Sequence, residues 1–328
     1  MITQFVQDVL DDNPQLSSLP QTMVEVLRVA RDEKASTRDL AEVLQHDPSM
    51  TAKVLRMVNS PYYGMMREIG SVRQAVQTIG MRQVMALALT SSVYRMTDNW
   101  NSCLDRVRFW RHSLEVAIAA RMIAEKAGYR HSEEAFVAGL LHDLGLLILE
   151  HAVPDRFSQV WKQAEREGNL PELEIEAWGT NHALIGQYLL ERWNLPDTIS
   201  RAVGRHHSTF LPGTANQELC TSQIVCLAHL ISKFAVSSEH ALNSDLLVNK
   251  EVLRRNLNIP TGEILAIEKT LFSMTLEEAA YLEIDVGSVD EIMLEANRML
   301  FDQYVTIENL LREIRDLRHR DKWDNIIN

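Results

Sequence analysis

The sequence predicts an all-α fold, a multi-helix bundle, on three observations. Apolar residues recur at steps of three and four through nearly every segment, which lines one face of a helix. No segment alternates apolar and polar residues as a half-buried strand would. The chain holds only 13 glycines and 9 prolines in 328 residues, too few for the many turns of a β architecture. A chain of this length buries a sizeable core and is long enough for two compact units.

The elements follow in order. After "LSSLPQ", Met23, Val24, Val26, Leu27 and Ala30 line the stripe of a first helix. "STRD" announces the second, with Ser36 as N-cap and Asp39 at the capping-box position; its stripe is Leu40, Val43 and Leu44. It stops at "HDP". Asp47 caps the third helix, and Pro48 takes the first turn, where a missing N–H costs nothing. That helix carries Met50, Val54, Leu55 and Val58 and ends in "NSPYYG", a turn by composition. "SVRQAVQTIGMRQVMALALTSSVYRM" predicts two short helices hinged at Gly80. A longer helix runs from Arg106 to Ala127, with Gly128 as its C-cap. Ser132 opens a helix that carries His142 and Asp143. Helices around Ala152–Glu167, Glu172–Trp193, Asp197–His206 and Glu218–Val236 follow, joined by short loops as in a compact bundle.

The polar stretch Ser237–Ser244 reads as a linker. From Ile292, the residues Ala296, Met299, Ile307, Leu310, Ile314 and Leu317 fall at helical steps, with charges on the other faces. They fit a terminal helix packed on its own domain, or a coiled-coil dimer surface whose seam Gln303 would interrupt.

Charge and composition exclude several functions. The formal net charge is −12 and the pI is about 5.4, which argues against non-specific binding to nucleic acid or an anionic lipid surface. The cations of "REIRDLRHRDK" are interrupted by acidic residues, so a mixed-charge helix face is the simpler account. The start "MITQFVQDVLDDNP" lacks the basic and apolar regions of a secretory signal, and no apolar run is expected to reach the length needed to cross a bilayer. Cys103, Cys220 and Cys226 are an odd number without CxxC spacing. A reducing cytoplasm with buried, unreactive thiols is expected.

"AFVAGLLHDLGLL" sets two ionisable residues, His142 and Asp143, inside an apolar run. Burying them requires a hydrogen bond, an opposite charge or a metal. Candidate partners lie on successive helices: His112 in "FWRHS", His182 in "TNHALIG", His206 and His207 in "GRHH", and His229 in "LAHL". A bundle can bring one face of each helix to a shared centre, as in carboxylate–histidine metal proteins. Neutral imidazoles with one carboxylate suit a divalent transition metal (iron, manganese, nickel or zinc) better than calcium or magnesium. A metal-free polar network is the alternative. His46, His131, His151, His240 and His319 stand in turns or polar contexts and read as surface residues.

The run "LSSLPQTMVEVLRVARDEKASTRDLAEVLQHDPSMTAKVLRMVNSPYYG" resembles the opening of HDOD domains, the HD-related output domains of bacterial signalling proteins. "SVRQAVQTIGMRQV", "FWRHSLEVA", "EEAFVAGLLHDLG", "NHALIGQYLLERWNLP" and "AVGRHH" continue the likeness, over roughly residues 15–235. The resemblance implies a bundle of HD-domain type with additional N- and C-terminal helices. With the helical pattern beyond it, the chain divides into an N-terminal helical subdomain (1–100), an HD-like core (101–236) and a C-terminal helical extension (237–328), of which the resemblance says little.

By similarity to the HD phosphohydrolases and the HD-GYP phosphodiesterases, His112, His142, Asp143, His182, His206 and His207 fall where metal ligands sit. His229 stands where those enzymes place a late aspartate. Other departures concern phosphate. Leu146 replaces the lysine of "HDxGK", no "GYP" follows "GRHH", and Arg108 stands where an acidic ligand is expected. The resemblance implies a non-catalytic signalling module that works through a protein partner, with a homodimer through the terminal helix as one form. The alternative is a metal-dependent phosphohydrolase, with Asp143 as the catalytic anchor of the metal. Arg111 or Arg205 could then neutralise phosphate, although a solvated arginine is the simpler reading of each.

Overall fold

The computed structural model describes residues 5–7, 20–32, 34–97, 103–208, 217–232 and 244–294, with isolated positions between 297 and 312. All regular structure among these residues is helical. The helices are α1 (Gln21–Arg31), α2 (Thr37–Gln45), α3 (Pro48–Val58), α4 (Val72–Ile79) and α5 (Met81–Thr97). Next come α6 (Arg106–Lys126), α7 (Ser132–Leu141), α8 (Leu144–Ala152), α9 (Pro154–Glu167) and α10 (Leu170–Trp178). The last are α11 (His182–Arg192), α12 (Asp197–Gly204), α13 (Gln217–Ile231), α14 (Ser244–Asn256) and α15 (Thr261–Leu282).

Local chemistry sets the early boundaries as the sequence predicts. Ser36 and Asp39 form the capping box, Asp39 N–H donating to Ser36 Oγ at 3.4 Å and Ser36 N–H to Asp39 Oδ2 at 2.7 Å. Asp47 accepts Met50 N–H at 2.9 Å, with Pro48 at the first helical position. Gly80 ends α4 with φ +91°, a conformation that costs glycine least. Asn59 closes the "NSPYYG" turn: its side chain accepts Ile69 N–H at 2.7 Å and donates to Ile69 O at 3.0 Å. Val24, assigned to the α1 stripe, is exposed instead.

Three expectations are corrected. Glu172–Trp193 is two helices, because Gly179 adopts φ +70° to end α10 and Asn181 caps α11 by accepting Leu184 N–H at 3.0 Å. His142 and Asp143 stand between helices rather than within one: α7 ends at Leu141, and Asp143 (φ −97°, ψ 7°) precedes α8. The stretch Ser132–Ala152 is long and apolar enough to cross a membrane by length and composition, against expectation. Its most apolar window is 89% buried inside the protein, and the His142–Asp143 junction interrupts it, so it forms the core.

Through Val286 the helices form one compact unit, in which α6 packs on α7, α13 and α15, and α8 packs on α11. The second unit begins at Gly287; Ser288 caps its helix by accepting Glu291 N–H at 3.2 Å. Ala296, Met299, Gln303, Ile307, Leu310, Ile314 and Leu317 lie outside the described residues, as do His240, His319 and the 237–243 stretch. His46 is exposed, and His131 and His151 are half-buried. Cys226 is buried, and burial pushes its thiol up to about 12, but Cys220 is only half-buried and Cys103 is exposed. The odd-cysteine reading anticipated burial for all three. The Cys103 N–H is held by Glu150 in the approach to α6, which leaves its side chain outside the core.

Candidate metal centre

Six helices deliver the seven candidate residues to one place. His112 comes from the middle of α6. His142 caps α7 and Asp143 leads into α8. His182 opens α11, His206 and His207 follow α12, and His229 lies near the end of α13. The α8–α11 approach depends on Gly145: a Cβ there would collide with the carbonyl of His182 and meet Gly186 N at 3.0 Å. Glycine at this position therefore lets Asp143 and His182 come together.

Two sets result. Ligand atoms of His112, His142 and His229 lie within 4.8 Å of one another, and so do those of Asp143, His182, His206 and His207. The Asp143 carboxylate stands between the sets. Its Oδ2 is 3.1 Å from His142 Nε2 and 3.6 Å from His112 Nε2. Its Oδ1 is 3.3 Å from His206 Nε2 and 3.5 Å from His182 Nε2. Across the rings, His112 Nε2 and His229 Nδ1 each approach His142 Nε2 to 3.2 Å, and His207 Nε2 approaches His182 Nε2 to 2.9 Å. Ligands about 2.1 Å from a tetrahedral metal stand about 3.4 Å apart, which matches these separations.

The outer hydrogen bonds decide which nitrogens hold protons. His142 Nδ1 is 2.7 Å from Gly139 O, and His206 Nδ1 is 2.7 Å from Val203 O. A carbonyl only accepts, so each Nδ1 carries the hydrogen and each Nε2 presents a lone pair. Ser232 donates its hydroxyl to Glu115 Oε2 at 2.7 Å and therefore accepts from His112 Nδ1 at 2.9 Å. Glu174 Oε2 accepts both His182 Nδ1–H at 2.6 Å and His182 N–H at 2.8 Å. Four Nε2 lone pairs thus converge on a carboxylate. Acceptors facing one another in a buried space repel unless a cation lies among them.

Electrostatics reinforce this arrangement. Burial pushes the His206 imidazole down to about 4, and burial with three neighbouring imidazoles pushes His207 down too, so both are neutral at pH 7, the form that a metal takes. Burial pushes the Asp143 carboxyl up, but charge and hydrogen bonds from His142, His206 and His182 carry it well below the usual carboxylate range. The donor set is therefore imidazole lone pairs around one anionic carboxylate. These clusters can hold a metal, and their chemistry fits a borderline transition metal.

Residues 16–209 match the HDOD domain family. The chain belongs to that family. It is 26% identical over 233 residues to an uncharacterised protein of Treponema pallidum, a match covering 70% of this chain and 44% of that one. It therefore spans under half the length of that relative. A solved HDOD domain protein of unknown function from Geobacter sulfurreducens is 25% identical with a TM-score of 0.69, covering 85% of this chain and 97% of that one. A candidate phosphohydrolase from Shewanella amazonensis SB2B is 22% identical with a TM-score of 0.66 at the same coverage, and shows the shared fold.

Within this HDOD chain the positions that departed from the enzymes also have defined places. His229 joins His112 and His142. Leu146, at the lysine position, is buried among apolar neighbours. Arg108 is half-buried, with its N–H held by Asp105 Oδ1 at 3.0 Å. The solvated reading of Arg111 is overturned: the residue is 2% exposed, and its Nη1 donates to Val286 O at 3.2 Å. Arg205 is half-buried.

Sequence reasoning missed Glu174, Ser232 and Glu115, which orient His182 and His112. Glu115 could have been found three residues after His112, one turn along the same face. Glu174 was hidden by the reading of one continuous helix. Eight residues along a helix would hold it about 12 Å from His182, and the break at Gly179 folds it back.

Proposed function

We propose that this HDOD chain is a bacterial signalling module of the cytoplasm, whose HD-like centre holds two divalent transition metal ions and which acts through protein contacts. One observation carries the metal reading. A single carboxylate, Asp143, presents one oxygen toward His112 and His142 and the other toward His182 and His206, and the Nε2 lone pairs of these four are fixed inward. His112, His142 and His229 would hold one ion, and His182, His206 and His207 the other, with Asp143 bridging. Iron, manganese, nickel and zinc all accept such ligands. Val289, Met293, Phe301 and Val305 are large apolar residues left exposed after Val286, which supports the C-terminal region as the dimer surface.

The signalling reading is favoured because phosphate-binding cations are not supplied where the enzymes keep them. Leu146 is apolar, and Arg111 is committed to a backbone carbonyl. A carboxylate placed between the two histidine sets favours a second reading, a metal-dependent phosphohydrolase with Asp143 as its anchor. Bound metals there would supply hydroxide at neutral pH and charge stabilisation for a phosphoester. The protein's own part would be to exclude water, to fix the imidazoles through Glu174, Ser232 and two backbone carbonyls, and to hold Asp143 ionised.

The test is elemental analysis of the full chain purified without chelator, beside Asp143→Ala. One to two equivalents of transition metal, lost in the variant, are expected. A metal-free polar core would show no metal even after loading, and its Asp143→Ala variant would lose about 1–3 kcal/mol from unsatisfied imidazoles. Turnover of bis-p-nitrophenyl phosphate or cyclic di-GMP by the loaded protein would decide for the enzyme.

A further inference from the structure

A second polar cluster lies apart from the histidines. A cavity of about 150 Å³ opens between the "NSPYYG" turn and α15. Its polar lining is Ser60, Tyr62, Glu277, Glu278 and Tyr281. α15 lies beyond the residues matched by the HDOD family, so the cavity joins a family segment to a helix outside the matched region.

The lining contains polar atoms that nothing satisfies. Ser60 is 2% exposed and Glu278 3% exposed, yet Ser60 Oγ and Glu278 Oε2 have no hydrogen-bond partner among the described residues. Leaving buried polar atoms unpaired costs free energy. The local charge is also unbalanced. Arg121 of α6, fully buried, meets Glu278 Oε1 at 2.9 Å and stacks 3.6 Å from the Tyr62 ring centre. Against that one guanidinium stand Glu277, Glu278, the buried Glu133 and Glu125, which accepts the Tyr62 hydroxyl at 2.9 Å. Glu133 Oε2 is likewise unsatisfied, and burial raises its carboxyl. Arg121 Nε and Nη1 also lack acceptors, but Arg121 does not line the cavity. What the cavity itself offers is carboxylate and hydroxyl oxygens beside tyrosine rings, with no cationic side chain in its wall.

The geometry points to a binding site for a small organic cation, a primary ammonium or guanidinium compound, between Ser60, Tyr62 and Glu277–Glu278. Its N–H groups meet Glu278 Oε2 and Ser60 Oγ, and Glu277 at the rim adds charge. The volume is that of about five waters, enough for an ion of a few heavy atoms. The site touches helix α6 through Arg121, nine residues beyond His112, but its occupancy does not depend on the metal centre.

The experiment is calorimetric titration and thermal-shift measurement of the full chain with methylguanidinium and propylammonium, against methylurea and propanol as neutral counterparts at matched ionic strength. Saturable binding of a cation, absent for its neutral counterpart, is expected. Glu277→Gln, at the exposed rim, and Ser60→Ala should each weaken it about three- to tenfold. Glu278→Gln should abolish it, and if breaking the Arg121 pair unfolds that variant, the other two still decide. No saturable binding, equal response to the neutral compounds, or affinity unmoved in both Glu277→Gln and Ser60→Ala would overturn the site and leave a water-filled cavity.

Discussion

Replacing Glu174 by glutamine should weaken metal binding at one histidine set and spare the other. Glu174 is fully buried, and its Oε2 accepts two bonds from His182, one from the ring and one from the backbone. Glutamine keeps the shape and an acceptor oxygen but removes the charge. A bond to a charged group contributes roughly 1.5–3 kcal/mol and a neutral one roughly 0.5–1.5, so the ring bond alone loses about 1–1.5 kcal/mol. The imidazole also becomes a poorer donor. Together these correspond to about a 10–100-fold loss of affinity, the usual range for such outer partners. Only the ion held by His182, His206 and His207 should feel it, because His112 is oriented separately by Ser232 and Glu115. Competition titration of cobalt or zinc against a chromophoric chelator resolves the two affinities, with circular dichroism as a check on folding. Ser232→Ala should give the mirror result. If Glu174→Gln leaves both affinities unchanged, or lowers both equally, the division into two independently oriented sets is wrong.

Other outcomes follow from the same geometry. Gly145→Ala should cost about 1–3 kcal/mol in urea unfolding and impair metal retention, since its Cβ must push α8 away from the His182 carbonyl. The metal-free protein should lose stability as pH falls from 6.5 toward about 4, because His206 is neutral when folded and protonates readily when unfolded. Its contribution is intact above 6.5, and a stability profile flat across that window would contradict it. Glu133→Gln should stabilise the protein above the ordinary carboxylate range, because burial disfavours the charged Glu133 carboxylate; the gain, read from urea unfolding, should shrink as pH falls through that range. Light scattering should show a dimer that Phe301→Glu dissociates; a monomeric parent removes the terminal-helix interface.

Much of this was legible because the signals are local. Ser36, Asp39, Asp47, Pro48 and Gly80 act within their own turns, so their caps could be read directly. The convergence of "HD" with the later histidines was legible from helix order and from the family likeness. Harder were positions whose role depends on chain reversal. "WGTNH" contains a C-terminal glycine and an N-capping asparagine, yet the apolar period runs across it, and the reading of one helix hid Glu174. Arg111 looked like a surface cation because nothing local shows that Val286 O, far along the chain, waits for its guanidinium. Cys103 was misjudged from average behaviour of the residue type, whereas exposure depends on which side of a loop faces out.

The histidines and Asp143 are gathered from residue 112 to residue 229, across six helices. In the unfolded chain only the neighbours His142–Asp143 and His206–His207 stay close, and an ion gains little from either pair alone. In the proposed metal-bound state, almost all of the binding free energy is therefore linked to folding. Each tenfold rise in free metal above saturation adds about 1.4 kcal/mol to stability. The lifetime of the folded protein in a cell would then track the metal supply, whatever else the module reports.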